Sequence, residues 1–454
     1  MFRPNYAALR LQESADFVPD EAFVQRIWFE SLARNPLKST DGRKFELLQP
    51  GFWNHSAGPD FTHAAVRFEN HETQSGPVEI HLAPNAFQSH GHHKDPAYND
   101  LLLHVVWTRG MTGRPPTSAR GAAVPVIELS SQLSAPLNQA KACFAALPAE
   151  LEVGARVGRC QQALSRLPDP EILRLVEEAG WYRFHQRVAR WRLKKKTSTT
   201  EELLWQGLCE VFGYSKNHEV MTFLSRKLPI AQLKQVSATE REALLFGVGG
   251  WMSEPASPDL SAHIRTLWDV WWKHRHEYSA LEKRYWTLSG TRPNNRPERR
   301  LAALAGLSSR AHFTLLLEAL ESANGEAAKD LLLATSHPEW NHRFTLTGKR
   351  SAKSQRLIGS DRADAFLFNV FWPIAYDIVP EKVENALKAA TTSADSLASR
   401  RTKVRLFKTT FVKSLAGRML ATEGLLQIYQ DFCLQDRSAC GQCEFPEWIA
   451  QWKT

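Results

Sequence analysis

The sequence predicts an α/β fold class in which a mixed-sheet N-terminal domain is followed by a mostly α-helical C-terminal domain. Short strand-like segments fall within residues 44–129, and helical periodicity dominates from about residue 151 onward. The chain has 454 residues, of which 43% are hydrophobic, so we expect two or three domains with their own cores. The predicted divisions are 1–150, 151–430 and a cysteine-containing segment at 431–454.

The first domain is predicted to open with an amphipathic helix over residues 20–32. Pro19 and Asp20 are a helix-start signal, and apolar side chains then recur on one face. The predicted strands follow at residues 44–48, 61–69, 75–82, 101–107 and 123–129. Turn and loop residues separate these apolar segments, which is typical of a small sheet.

The second domain is predicted to be helical because its apolar residues recur with the period of an α-helix. The segments that carry this pattern are 168–196, 197–214, 239–250, 262–286 and 402–420. Ser and Thr residues precede the periodic part of the second segment and are suitable N-caps. We therefore expect a helical assembly after the sheet.

Charge and cysteine content narrow the class of partner and compartment. The net charge of +9 and the pI of about 9.2 favour a polyanionic partner such as nucleic acid. Six cysteines in so long a chain do not indicate a disulfide framework. We find no apolar run near ~20 residues and no basic-then-apolar leader, so we expect a cytoplasmic protein without membrane association.

The segment "VEIH" at the end of the third predicted strand carries a candidate catalytic site. Side chains alternate along a strand, so Glu79 and His81 share the face opposite Ile80. Asp60, in "GPD", lies at the mouth of the neighbouring strand. We predict that Asp60 and Glu79 hold Mg²⁺ or Mn²⁺, and that the backbone carbonyl of Ile80 completes the shell. His81 would orient or deprotonate a metal-bound water.

A histidine-rich segment follows and adds further candidate ligands. Imidazoles at this density suit a transition metal or contacts with phosphate. We expect His90, His92 and Asp95 to fold over the two carboxylates as possible metal ligands, with Tyr98 lining the site. His104 lies inside an apolar strand and is predicted to be a hydrogen-bonded core histidine rather than a ligand.

The spacing of "GPD" (58–60) and "EIH" (79–81) resembles the PD-(D/E)XK nuclease superfamily, with His81 in place of the motif Lys. Lys stays protonated, whereas His is only partly charged near neutrality. The resemblance implies a restriction-endonuclease-like core and metal-dependent nuclease activity. It also implies an auxiliary acid on the preceding helix, for which Glu21 is the first candidate and Glu30 the second.

A closer resemblance is to a widespread bacterial family of uncharacterised proteins. Its pattern appears here, in order, as Asn54, "GPDF" (58–61), "VEIH" (78–81), "HGHHKDPAY" (90–98) and "LHVV" (103–106). The similarity spans most of the chain. It implies that Asn54 and Tyr98 line the site.

A basic segment in the helical domain suggests a nucleic-acid interface. Its cations are Arg183, Arg187, Arg190, Arg192, Lys194, Lys195 and Lys196. Several of them recur at helical spacing and would neutralise phosphates, with DNA favoured over RNA. Arg292 and Arg296, in a proline-broken loop, could also reach a nucleic-acid backbone.

Three cysteines near the C-terminus indicate a metal site. Cys433, Cys440 and Cys443 form a C-x6-C-x2-C pattern, which resembles the first three cluster ligands of certain DNA-repair glycosylases. Some RecB-type nuclease relatives also carry a cysteine-clamped cluster. Cys160 is the candidate fourth ligand and Cys209 the second choice. Either Zn²⁺ or a [4Fe–4S] cluster would fit four thiolates, in a structural clamp.

Together these patterns favour a metal-dependent nuclease that cleaves DNA, or less readily RNA, in repair or defence. Two alternatives stay open. One is a non-catalytic nucleic-acid-binding component with a degenerate nuclease fold. The other is a histidine-rich zinc hydrolase acting on small substrates.

Overall fold

The computed structural model has a mixed sheet in the N-terminal part and helices thereafter, which confirms the predicted order of the two parts. The described residues are 6, 19–54, 58–69, 73–108, 116–137, 139–140, 158–254, 260–289, 291–392, 397–407, 415–434 and 440–452. The predicted domain boundary near residue 150 and part of the predicted helix at 402–420 lie outside them. Within the described ranges, no helix combines the length and apolar character that crossing a membrane requires.

The sheet contains the five predicted strands and two shorter ones. Its strands are β1 (Leu37–Lys38), β2 (Lys44–Gln49), β3 (Phe52–Trp53), β4 (Phe61–Phe68), β5 (Thr73–His81), β6 (Leu103–Val106) and β7 (Val126–Glu128). They run in the order β1-β2-β4-β5-β6-β7, with β3 paired to β4. The strands from β1 to β5 pair antiparallel, whereas β5, β6 and β7 are parallel. The two-residue strands β1 and β3 are too short to show periodicity.

The register of β4 against β5 shifts at Pro77. Proline has no backbone N–H to donate to the ladder, and two residues of β4 lie opposite this single residue of β5 as a β-bulge. Beyond the bulge, Phe61 pairs with Val78. This register brings Asp60, just before β4, alongside Glu79.

Helix α1 (Glu21–Phe29) packs against β5. The Asp20 side chain caps it by accepting a hydrogen bond from the backbone N–H of Phe23 at 2.8 Å. Its apolar face enters the sheet core, where Ile27 and Trp28 are fully buried. The predicted helix thus ends earlier than residue 32, because Ser31 takes a left-handed φ of 56°.

The opposite face of the sheet is covered by the segment between β5 and β6. It contains the short helix α2 (Ala86–Ser89) and two 3₁₀ turns, His92–Lys94 and Pro96–Tyr98. Phe87 and Tyr98 are buried in a small apolar cluster on this side. The segment therefore covers the face of the sheet that carries Glu79 and His81.

The remaining described helices form the C-terminal part. They are α3 (Cys160–Leu164), α4 (Asp169–Lys194), α5 (Thr200–Phe212), α6 (His218–Lys227), α7 (Ile230–Leu233), α8 (Ala238–Val248), α9 (Ala262–His274), α10 (Pro297–Leu307), α11 (Arg310–Glu321), α12 (Gly325–Leu333), α13 (Ser360–Phe366), α14 (Trp372–Ala375), α15 (Pro380–Ala389), α16 (Leu397–Leu406), α17 (Met419–Ile428) and α18 (Phe445–Gln451). Leu367–Phe371 and Tyr429–Cys433 are π-helical turns.

Helices α4 and α17 approach each other closely at two glycines. A Cβ atom on Gly180 would lie 2.2 Å from the carbonyl oxygen of Leu420, and one on Gly424 would lie 1.8 Å from that of Val176. Only glycine leaves room for backbones this close. The pair α4–α17 is therefore a fixed element of the helical part.

The prediction that the cations of α4 bind phosphate is wrong for four of them. Arg183, Arg187, Arg190 and Lys194 are buried. Their partners lie within the chain. Arg183 Nε donates to Glu423 at 2.8 Å, and Arg187 hydrogen-bonds to the side chain of Asn369. The positive face of this helix is therefore a packing face.

A buried ion-pair cluster at the C-terminal end of α4 joins the helical part to the sheet part. Arg190 donates to Glu30 at 2.9 Å and to Glu210 at 2.8 Å, and Lys194 Nζ lies 2.5 Å from Glu30. Glu30 lies just after α1. Because it is paired with Arg190 and Lys194, it is not available as the second auxiliary acid of the site. Because the cations lie beside Glu30, its pKa is lowered to about 2 although burial opposes that shift.

The other predicted nucleic-acid contacts are more accessible. Arg192 and Lys195 are exposed and lie near Asp377, and Lys196 donates to the backbone oxygen of Ser134. Arg292 is exposed.

Arg296 is half-buried, and its Nε lies 3.8 Å from Glu298. Unlike the four buried cations of α4, five of the predicted contacts thus have side chains near the surface: Arg192, Lys195, Lys196, Arg292 and Arg296.

Replacing Arg190 by Ala is expected to lower the free energy of unfolding by about 3–5 kcal/mol, because Glu30 and Glu210 would remain buried without their shared cation. Arg192→Ala, on the same helix but with a side chain 55% exposed, is the matched control and should cost less than ~1 kcal/mol. Urea denaturation followed by circular dichroism measures both. Equal losses for the two variants would contradict this account of the cluster.

Candidate metal centre

The carboxylates of Asp60 and Glu79 meet at the end of the β4–β5 pair. The backbone N–H of Asp60 donates to Glu79 Oε2 at 3.0 Å, and the N–H of Ile80 donates to Asp60 Oδ2 at 2.9 Å. Gln25 of α1 donates to the other oxygen of Asp60 at 2.8 Å. Strand register and helix position therefore fix both carboxylates. The N–H and C=O of an extended residue point the same way, so the Ile80 carbonyl faces the Asp60 side.

The second oxygen of Glu79 faces a cluster of imidazoles. Glu79 Oε1 lies 3.1 Å from His92 Nε2 and 3.5 Å from His81 Nε2. His81 Nε2 lies 3.2 Å from His90 Nδ1. The donor atoms of the three histidines all lie within 4.8 Å of one another. Glu79 is thus the residue shared by the carboxylate pair and the imidazole cluster.

The separations of these donor atoms match a single metal ion. Zn²⁺ binds imidazole nitrogen and carboxylate oxygen at about 2.0–2.1 Å, so tetrahedral ligands are roughly 3.3 Å apart. Three of these separations, at 3.1, 3.2 and 3.5 Å, bracket that value. A proton can bridge only one such pair, whereas one cation could bind the three clustered imidazoles, with Glu79 Oε1 beside His81 and His92. Nitrogen donors favour a transition metal over Mg²⁺, which prefers oxygen.

His104 orients the central imidazole. It lies opposite Glu79 on β6, and its Nε2 is 2.9 Å from His81 Nδ1. When His81 Nδ1 carries the shared proton, His81 Nε2 presents its lone pair to the cluster. Metal-bound histidines are held by hydrogen bonds of this kind. His104 is fully buried, as predicted for a core histidine.

Burial sets the protonation of the donor atoms. It raises the pKa of Glu79 to about 8, helped by the charges of Asp60 and Glu21. Burial also lowers the pKa of His81 to about 3, and the neighbouring imidazoles add to this shift. It raises the pKa of Asp60, although two N–H donors oppose that shift. The His81 imidazole is therefore neutral, which is the form that binds metals.

The loop after α2 places His90 and His92 on the same side. Gly91, between them, takes a left-handed φ of 81°, which a glycine adopts without strain. His92 stacks on Tyr98, with ring centroids 4.0 Å apart. Asp95 caps the next turn by accepting from Ala97 N–H at 2.9 Å, so it supports the loop instead of joining the donor group. Tyr98 therefore lies beside His92, and its role as a lining residue stays a prediction.

Asn54 fixes the loop before β4. Its backbone N–H donates to the carbonyl oxygen of Asp60 at 2.7 Å, and its side chain donates to the carbonyl of Pro59 at 2.9 Å. Gly58 in the same loop takes a φ of 104°. Asn54 thus holds Asp60 in place from outside the donor group.

The centre is open on the side of α1. The Glu21 side chain is 41% exposed, and its Oε1 lies 3.9 Å from His81 Nε2. His90 is exposed, whereas Glu79 and His81 are buried. Burial and the nearby Asp60 raise the pKa of Glu21. Solvent can therefore reach the cluster between Glu21 and His90.

A second Glu–His–His group lies among the helices but has a different proton arrangement. Glu242 on α8 accepts from His263 at 3.1 Å and lies 3.2 Å from His337 Nε2. The backbone N–H groups of Glu339 and Trp340 donate to His337 Nδ1. His337 Nε2 therefore carries a proton and donates to the carboxylate. This group is a hydrogen-bonded ion-pair site without a lone pair for a metal.

The structure also brings together the predicted cysteine ligands. The thiols of Cys160, Cys433, Cys440 and Cys443 are close enough that their charges raise the pKa of Cys160, after burial, to about 12. Cys209 instead lies within the helical core. Cys160 is therefore the cysteine that accompanies the C-terminal three.

Comparison with known families places the chain. The profile of a family described as protein of unknown function (DUF2851) matches residues 21–399, which is most of the sequence. The chain belongs to this family. The match contains the carboxylate pair and the imidazole cluster and ends before the C-terminal cysteines. No curated protein and no solved structure matches the chain.

Sequence patterns did not identify the supporting residue Gln25, and they did not identify the partner of His104. Gln25 binds Asp60 from α1, and His104 binds His81 from β6. The helical periodicity of α1 places Gln25 four residues after Glu21, one turn along the same face, and this is the signal that could have found it. His104 had no such signal, because its partner is set by the parallel pairing of β5 and β6.

Replacing His92 by Ala is expected to weaken binding of Mn²⁺ or Zn²⁺ by about 10–100-fold or more, because one of the three clustered imidazoles is lost. His93→Ala in the same turn is the control, since His93 lies outside the donor group. Isothermal titration of chelator-treated protein measures the affinity. The centre is incorrectly assigned if both variants bind metal as the native protein does.

The Glu79 carboxyl is expected to contribute stability to the metal-free protein that is lost as the pH rises from about 4.5 to about 8. In the folded state the raised pKa of Glu79 favours the protonated form, so stability is greatest below the unfolded pKa and is lost through the folded one. The change is on the order of 3 kcal/mol.

Urea unfolding at both ends of this pH range measures it. Glu79→Gln should lack this loss of stability relative to the native protein, whereas Glu69→Gln, at an exposed carboxylate, should keep the native pH dependence. A native pH profile in the Glu79→Gln variant would contradict the assignment.

Proposed function

We propose that this protein is a metal-dependent phosphodiester hydrolase, a nuclease with a PD-(D/E)XK-like core. The observation that carries the proposal is the clustering of His81, His90 and His92, with the carboxylates of Glu79, Asp60 and Glu21 beside them. The sheet supports the nuclease assignment, since the GPD carboxylate and the E-x-H strand are neighbours in one mixed sheet.

Each side chain has a role that follows from its position. A bound transition metal would polarise a phosphoryl oxygen and acidify a water. Glu79 and the imidazoles hold the ion, and His104 keeps the His81 lone pair directed at it. Glu21 is exposed and 3.9 Å from His81 Nε2, so it is placed to accept a proton from an attacking water. His81 acts as a ligand here, because its ring is buried.

Asp60 orients the centre. Its N–H holds Glu79 Oε2, and its carboxylate is held by Ile80 and Gln25. A carboxylate fixed in this way can join a metal or position a water without first paying rotational entropy. Loss of Asp60 therefore affects the orientation of Glu79 as well as the charge of the site.

The substrate class is proposed from charge. The chain carries a net charge of +9, which favours a polyanion such as DNA. The four buried cations of α4 do not contribute to this interface. The exposed Arg192, Lys195 and Arg292 are the remaining candidates for backbone contacts.

A zinc hydrolase acting on small substrates is the second candidate. The imidazole-rich donor set favours it, because three nitrogen ligands and one open position are typical of catalytic zinc. Such an enzyme would cleave a small activated ester without affinity for nucleic acid. The third candidate, a non-catalytic nucleic-acid-binding component, would bind DNA without cleaving it.

The deciding experiment is a cleavage assay with metal-free protein to which Mn²⁺, Zn²⁺ or Mg²⁺ is added. Substrates are end-labelled single- and double-stranded DNA, RNA, and a chromogenic phosphodiester. We expect DNA cleavage that is greatest with Mn²⁺ or Zn²⁺ and that falls by about 100-fold or more in Glu79→Gln. Glu69→Gln, on the same sheet but exposed, should retain native activity.

The outcomes separate the candidates. Hydrolysis of the chromogenic ester without cleavage or binding of DNA supports the small-substrate hydrolase. Salt-sensitive DNA binding that persists in Glu79→Gln, without cleavage by either protein, supports the non-catalytic component. Equal cleavage by native and Glu79→Gln protein would overturn the proposed site.

A further inference from the structure

Four cysteines meet at a second site, where the start of the helical part contacts the C-terminal segment. A Cβ on Gly158 would lie 2.9 Å from Cys160 Sγ and 3.7 Å from Cys440 Sγ. These two sulfur atoms, which are 280 positions apart in the sequence, are therefore no more than roughly 7 Å apart. Cys443 packs against the apolar cluster that contains Cys160. Tertiary packing thus assembles the site from distant segments.

The fourth cysteine is held at the end of α17. Cys433 closes the π-helical turn Tyr429–Cys433, and the Arg405 side chain donates a hydrogen bond to its sulfur. The backbone oxygen of Arg405 accepts from the N–H of Gly158 at 3.0 Å and lies 3.8 Å from Cys160 Sγ. Arg405 therefore contacts Cys433 through its side chain and Gly158 and Cys160 through its backbone oxygen.

The spacing of the thiols distinguishes a single ion from a cluster. Zn²⁺ binds thiolates at about 2.3 Å, which places four sulfurs roughly 3.8 Å from one another. Among the described residues, the groups of donor atoms within 4.8 Å of one another contain histidine and glutamate, and the cysteines form no such group of three. In a cubane cluster each thiolate binds a different iron, so the sulfurs are farther apart. The site is thus wider than one zinc ion needs.

The surroundings suit an anionic cluster. The Arg405 guanidinium faces Cys433, and Arg159 donates to the carbonyl oxygen of Gly441, between Cys440 and Cys443, at 2.8 Å. Both arginines bring positive charge to a group of four thiolates and bridging sulfides. Charge and hydrogen bonds around the sulfurs are among the factors that set a cluster's reduction potential.

We propose that Cys160, Cys433, Cys440 and Cys443 ligate a [4Fe–4S] cluster that fastens the C-terminal segment to α3. The cluster is separate from the histidine centre. Its formation ties α3, α17 and α18 together, since Arg159 also pairs with Glu447 of α18 at 2.7 Å. The cluster's role is structural, and its four ligands come from three segments of the chain.

The test is metal analysis of the full-length protein purified without oxygen. We expect iron and acid-labile sulfide in equal amounts, near about four of each per chain, with a broad visible absorption that bleaches on reduction. Cys440→Ser should lower the iron content and the absorption by more than half. Cys209→Ala, in the helical core, should retain both.

Stoichiometric zinc with no iron or sulfide would overturn the cluster, as would protein that contains neither metal after anaerobic reconstitution with iron and sulfide. Hydrogen exchange provides a second measurement that does not depend on the variants. Removing the cluster from native protein with a chelator should increase exchange in α18 and leave α5, in the helical core, unchanged. Equal exchange in α18 before and after removal would overturn the clamp. A result at this site leaves the hydrolase proposal unaffected, since cleavage is tested with Glu79→Gln.

Discussion

The β-bulge of β4 opposite Pro77 is the constraint on which the candidate metal centre depends. A proline inside a strand cannot complete the ladder, and the partner strand bulges opposite it. The bulge changes the register by one residue, and one residue decides which face a side chain occupies. Without it, the residue before β4 would not meet Glu79. A local covalent property therefore sets the geometry of a site built from three strands, one helix and a loop.

This register places polar side chains on a buried face of the sheet. Burying them without a ligand would be unfavourable in free energy. Glu79, His81 and His104 are buried on this face, yet all three are polar. Buried polar groups are normally satisfied in pairs, each sharing a proton. Here Glu79 Oε1 and His81 Nε2 each have two or more close neighbours. The Glu242 group shows the contrast, because backbone donors there fix a proton on His337 Nε2 and the pairing is complete.

Local pattern predicted the elements well, because strands and helices carry their own periodicity. The five strands and the order of the two parts followed from it. The pairing of Asp60 with Glu79 was expected from strand proximity, and Cys160 was proposed as the fourth cysteine. The sequence pattern could not show which charged side chains surround a given cation in the folded chain. Arg190 resembles a surface cation in sequence, and only tertiary packing shows that Glu30 and Glu210 surround it.

The same buried cations connect the two parts of the molecule. Glu21 stands in the first turn of α1, and Glu30 directly follows its last turn. Since a helix rises about 1.5 Å per residue, roughly 13 Å of α1 separates the metal centre from the ion-pair cluster on α4. Anchoring Glu30 to Arg190 and Lys194 therefore fixes the axial position of Glu21. The cations that were expected to bind a substrate act instead through α1, by holding the exposed acid of the centre at its distance from His81.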